Sequence, residues 1–86
     1  MKFLAVSTNS GDTRPFLHEE SAGMAELLRG GQVADLWLKA DWSGAVLILD
    51  ALNLAAARAA VDGLPLVRHG LTSFQITEIV DPPAVG

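Results

Sequence analysis

Eighty-six residues, half of them hydrophobic, with a net charge of −4 and no cysteine, describe one small domain. Six basic residues against ten acidic ones are too few for a phosphate-binding surface, and without cysteine neither disulfides nor thiolate-bound zinc can reinforce the fold. A chain this short buries only about 60–70% of its unfolded surface, so association with further copies is the expected remedy.

The chain opens with MKFLAVS, an apolar run too short for a signal peptide or a membrane span, and a cytoplasmic location is expected. Within it, Lys2 to Ser7 reads as a strand that is apolar on both faces. The loop TNSGDT then delivers a helix predicted over Arg14 to Arg29. Asp12 or Thr13 can cap it, Pro15 is tolerated in the first turn, and Gly30-Gly31 stops it.

This helix organises the functional reading. At about 100° per residue, Phe16, Leu17, Met24, Leu27 and Leu28 share one face, and Glu20 falls near its middle. Glu19 and Glu26 point well away. A carboxylate on a core-facing stripe loses water, which raises its pKa and prepares a general acid or base for work near neutral pH. The alternative is structural. Glu20 sits early enough to favour the positive helix end, or pairs with a cation.

Val33 to Asp41 alternates as a strand, with Ala34, Leu36, Leu38 and Ala40 on one face. Val33, Asp35, Trp37, Lys39 and Asp41 fall on the other. Trp42-Ser43-Gly44 turns the chain back into Ala45 to Asp50, again apolar on both faces, so that the two strands form a hairpin. Asn53 caps a second helix, Leu54 to Asp62, which Gly63 ends. A hydrophobic turn, Leu64 to Val67, leads to a last strand over Thr72 to Val80. Residues 1–80 make the domain, and 81–86, bearing Pro82-Pro83, make an extended arm that cannot continue pairing.

The order β-α-β-β-α-β is the ferredoxin-like α+β arrangement, an antiparallel four-stranded sheet with two helices on one face. Strands one and three nevertheless read as buried on both sides. A second copy is the economical cover, giving a dimeric α+β barrel, or a higher multiple of dimers.

Glu20 is therefore the first catalytic candidate, with Lys39 the second. Phe16, Met24, Trp37 and Asp41 are candidates for substrate binding. Trp37, between Asp35 and Lys39, either stacks on a planar substrate or packs in a subunit interface. Lys39 and Asp41 either form an acid–base pair or are a solvated ion pair. His18 and His69 read as surface positions without an assigned role. No third ligand stands at workable spacing near either, so no metal is expected. No glycine-rich phosphate loop, nucleophile elbow or CxxC occurs, and no cofactor is expected.

Two stretches, LLRGGQVADLWLKADWSGAVLILD and LPLVRHGLTSFQITEIVDPP, together with the early acidic pair Glu19-Glu20, resemble the muconolactone isomerase-like proteins. The most specific parts are Leu36-Trp37 and Leu64-Pro65-Leu66. The resemblance implies a helix-to-sheet pocket in each subunit, oligomers built on barrel dimers, and cofactor-free acid–base isomerisation of a small lactone. The expected function is then a cofactor-free isomerase, cyclase or lyase acting on a small lactone-type or aromatic metabolite. The alternative is a non-catalytic small-ligand-binding or oligomer-forming barrel. An RNA-binding domain of the same topology is excluded by charge and by the lack of aromatic residues in the central strands.

Overall fold

The computed structural model describes residues 1–84. Four strands, β1 (Lys2–Asn9), β2 (Val33–Leu38), β3 (Ala45–Asp50) and β4 (Thr72–Ile79), form one antiparallel sheet in the order β2-β3-β1-β4. Among the described residues three α-helices accompany the sheet: α1 (Leu17–Arg29), α2 (Leu54–Asp62) and a single turn, α3 (Pro65–Arg68). This is the ferredoxin-like α+β topology.

Strand alternation decides where the core lies. Phe3, Ala5 and Ser7 of β1, Ala45, Leu47 and Leu49 of β3, and Thr72 and Phe74 of β4 are buried on one face. Met24 of α1 and Ala57 and Val61 of α2 pack against them, so both long helices cover the same side. Two of the helical segments start for a local reason. Asn53 accepts a hydrogen bond from the Ala56 amide at 2.8 Å and caps α2. Asp12 accepts from the Arg14 amide at 3.1 Å and opens a 3-10 turn, Arg14–Phe16, ahead of α1. The predicted helix over 14–29 is thus two pieces. Pro15 sits in the tighter first piece, where its missing N–H is not needed.

The second strand departs from its predicted phase. Val33 pairs with Leu49 and Asp35 with Ile48, so Ala34 is an extra residue, a bulge. From that point the alternation is shifted by one. Val33, Leu36 and Leu38 look toward the helices, whereas Asp35 and Trp37, opposite Ile48 and Val46, look away. The sequence pattern had placed Val33 with Trp37, and the bulge separates them. The strand also ends at Leu38, so Lys39 to Asp41 lie in the turn to β3.

The face turned away from the helices carries Leu4, Val6, Val46 and Ile48, all half-buried, and Trp37, which is 66% exposed. It is the side expected to need a second copy. After β4, Asp81 lies 3.8 Å from the Lys2 ammonium, and residues 81–84 have no regular structure. Val85 and Gly86, the end of the expected arm, lie outside the described residues.

Candidate active site

The site follows from small residues on the sheet. Ser7, Gly44 and Ala45 leave space beneath α1, and two glycines fix how the neighbouring backbones approach. A side chain at Gly44 would begin 1.9 Å from the Ser7 carbonyl oxygen, so only glycine lets these segments meet. Gly23 brings α1 against Leu64, whose Cδ2 would lie 3.2 Å from an added Cβ. The helix is held close to the Leu64–Pro65 segment at that point.

The result is a cavity of about 600 Å³ between α1 and the helix-facing side of the sheet, within the range of small-molecule sites. Leu17, Glu20, Ser21, Met24, Ala25 and Leu28 of α1 form one wall. Leu36, Leu38, Ala45, Thr72 and Phe74 form the opposite one, Leu66 closes an end, and Arg14 and Trp42 stand at the rim. Leu17 and Leu28 remain about half exposed because they face this space instead of packed side chains.

Glu20 is half-buried in the α1 wall. Its Oε1 accepts a hydrogen bond from the Leu66 amide at 3.0 Å, in the first turn of α3, where helix amides lack internal partners. Desolvation raises its carboxyl above the ordinary value, and the Leu66 N–H, which favours the charged form, offsets part of that rise. One oxygen is therefore held by backbone, in a wall that is mostly hydrocarbon. Glu20 is a carboxylate that exchanges protons nearer neutrality than a surface glutamate does.

The remaining site candidates divide. Met24 is buried and lines the cavity beside Glu20. Phe16 instead stacks on His69, with ring centroids 4.1 Å apart, and ties the start of α1 to the end of α3. Trp37 is on the far face of the sheet. Lys39 donates to the Thr8 hydroxyl at 3.4 Å, on that same far face. Asp41 accepts from the Ser43 amide and hydroxyl at 3.0 and 2.6 Å, which lowers its pKa and fixes the turn. Trp37, Lys39, Asp41 and Phe16 are not among the residues lining the cavity. For Trp37 the reason is the bulge at Ala34, after which Asp35 and Trp37 look away from the helices.

Two residues that the sequence pattern did not single out take their place. Arg14 stands at the rim, its guanidinium paired with Asp12 at 2.9 Å. Trp42 is 76% exposed and adopts φ 64°, a left-handed conformation that turns usually give to glycine. Its amide donates to the Lys39 carbonyl at 2.9 Å, and its own carbonyl accepts from the Asn9 side chain at 3.5 Å. A large aromatic side chain in that conformation was the available signal. Among the described residues, no three His, Cys, Asp or Glu side chains stand together as metal ligands would.

No family model matches the chain, and no curated protein matches its sequence. Solved structures do. Muconolactone isomerase superposes with a TM-score of 0.82 at 17% identity, covering 99% of this chain and 94% of that one. The chain has the muconolactone isomerase fold. A second structure with this fold is 5-chloro-2-hydroxyhydroquinone dehydrochlorinase (TftG) from Burkholderia phenoliruptrix AC1100, in complex with 2,5-dihydroxybenzoquinone. It superposes with a TM-score of 0.73 at 18% identity, covering 95% of this chain and 96% of that one. The muconolactone isomerase fold thus extends over nearly all of the chain.

Proposed function

We propose that this protein is a cofactor-free isomerase or lyase that moves a proton on a small, largely apolar ring compound, with Glu20 as the base. The observation that carries the reading is a carboxylate of raised pKa in the wall of an apolar cavity of about 600 Å³. In the isomerase form, Glu20 takes a proton from a carbon beside a carbonyl. The C–H electron pair moves into an enolate, and the same carboxyl returns the proton to another carbon. In the lyase form, that electron pair instead expels a leaving group from the neighbouring carbon. Met24 and Leu66 would hold the ring, and Trp42 would cover it from the rim. The reading agrees with the names of the two structural neighbours, a lactone isomerase and a hydroquinone dehydrochlorinase.

We further propose that two copies join through the face of the sheet that carries Leu4, Val6, Trp37, Val46 and Ile48. This apolar surface suits a second, equally apolar one, and a chain this short is marginal alone.

The test is deuterium uptake from D₂O into the acidic carbon positions of a panel of γ-lactones, followed by NMR. Catalysed uptake should fall about 100-fold or more in Glu20→Gln and persist in Glu19→Gln, whose side chain is exposed. Saturable binding of a lactone without any uptake favours the second reading, a non-catalytic ligand-binding barrel.

A further inference from the structure

We propose that Thr72 is the residue by which the cavity recognises an oxygen atom of its ligand, a proposal that rests on the cavity being the substrate site. Thr72 opens β4, lines the cavity and is 7% exposed. Its hydroxyl is buried without a hydrogen-bond partner, the one such side-chain atom among the described residues. Buried hydroxyls are nearly always paired, because an unpaired one forfeits its bonds to water and gains none. Valine has the same shape and would avoid the penalty. A threonine here therefore calls for a partner that the chain itself does not supply.

The neighbouring polar groups are already engaged. The Ser7 hydroxyl accepts from the Ala45 amide at 2.8 Å. Asn9, which pairs with Thr72 across the sheet, gives its side-chain N–H to the Trp42 carbonyl. Glu20 is held by the Leu66 amide. As placed, the Thr72 hydroxyl oxygen has almost no accessible surface, so contact with a ligand requires a step between staggered χ1 wells, which redirects the hydroxyl without moving the strand.

Position adds to the case. Leu66 gives its N–H to Glu20 and accepts, at 2.8 Å on its carbonyl, the amide of Leu71, the residue before Thr72. The Glu20 carboxylate and the backbone that leads into Thr72 are thus both tied to Leu66, in the lining of a cavity that is otherwise mainly hydrocarbon. A ligand that places a carbonyl or hydroxyl oxygen on Thr72 brings its adjacent carbons toward Glu20. The ligand class is a small ring, mostly apolar, with an oxygen next to the reacting carbon.

The experiment compares 2-coumaranone, an aromatic lactone, with indane, a hydrocarbon of the same fused-ring frame that lacks its oxygens. Their dissociation constants are measured by NMR titration on the wild-type protein, Thr72→Val and Thr72→Ser. Thr72→Val should lower the affinity of the lactone relative to indane about tenfold, the size of one hydrogen bond. Thr72→Ser, which keeps the hydroxyl, should retain the wild-type ratio. Thr72→Val should also melt no lower than the wild type. An unchanged ratio in Thr72→Val overturns the proposal and leaves the cavity as the ligand site. A valine variant that melts several degrees lower also overturns it, because the hydroxyl then has a structural partner. Failure of the wild-type protein to bind either probe overturns this proposal together with the proposed site.

Discussion

Glu20 and Leu66 lie 46 positions apart, and a 3.0 Å hydrogen bond joins the carboxylate of one to the backbone amide of the other. The bond does two things at once. It caps the first turn of α3, and it holds a titratable group in the cavity wall at a fixed height. Its energetics follow from the sign of the pKa shift. The Glu20 carboxyl is raised in the folded state, so folding favours its protonated form. That contribution is fully present below the ordinary value of 4.5 and is lost as pH rises through the higher folded value. Glu20→Gln is neutral throughout and keeps an oxygen for the Leu66 amide. The difference in melting temperature, wild type minus Glu20→Gln, should therefore decline as pH rises above 4.5 and then level off. Melting curves from pH 3 to about 8 check this. A difference that grows with pH would mean that the Leu66 N–H outweighs desolvation.

Gly44 should be the least replaceable residue of the cavity floor. An alanine Cβ would meet the Ser7 carbonyl oxygen at 1.9 Å, and backbone cannot swing aside as a side chain does. Gly44→Ala should lose about 2–3 kcal/mol in denaturant unfolding. Gly63→Ala is the control. Nothing lies within 4 Å of its added Cβ, and its φ is −77°. Its stability should stay within about 0.5 kcal/mol of the wild type.

At Trp42, stability and ligand affinity should part. The left-handed backbone there disfavours any side chain, and Trp42→Gly should gain about 1 kcal/mol in unfolding free energy. The same variant removes the aromatic rim of the cavity, and 2-coumaranone should bind several-fold more weakly. A stability loss on this substitution would mean that the indole packs on the rim strongly enough to outweigh the backbone.

Ile48 and Leu49 are neighbours with opposite duties. Leu49 is fully buried on the helix side, whereas Ile48 is half-buried on the face proposed to meet a second copy. Leu49→Lys should abolish folding, read by circular dichroism. Ile48→Lys should leave a folded chain that sediments as a monomer, where the wild type sediments as a dimer or a multiple of dimers. A wild-type monomer at micromolar concentration would end the proposed assembly.

The helix and strand order was legible because each element carries its own period and its own punctuation. Glu20 was legible for the same reason. A carboxylate between Phe16 and Met24 on an apolar stripe is a local fact, and helix geometry turns it directly into a position. The side that Trp37 faces was not legible, because it depends on Ala34, a single residue that no local pattern marks as extra. Strand phase is cumulative, so one inserted residue reverses every later side chain. Thr72 was silent for another reason. A hydroxyl declares itself only by what surrounds it, and the residues that leave it unpaired come from distant parts of the chain.

The bulge at Ala34 also makes the wall of the cavity a matter of chain length more than of composition. Removing that one residue, with no other change, would turn over the rest of β2. Trp37 would swing inward toward α1, while Leu36 and Leu38 would move out to the opposite surface. The strand would then offer an indole in place of two leucines to whatever the cavity holds. A protein with this architecture can exchange the lining of its cavity for the opposite face of its sheet by a three-nucleotide deletion. No single point substitution reaches that state.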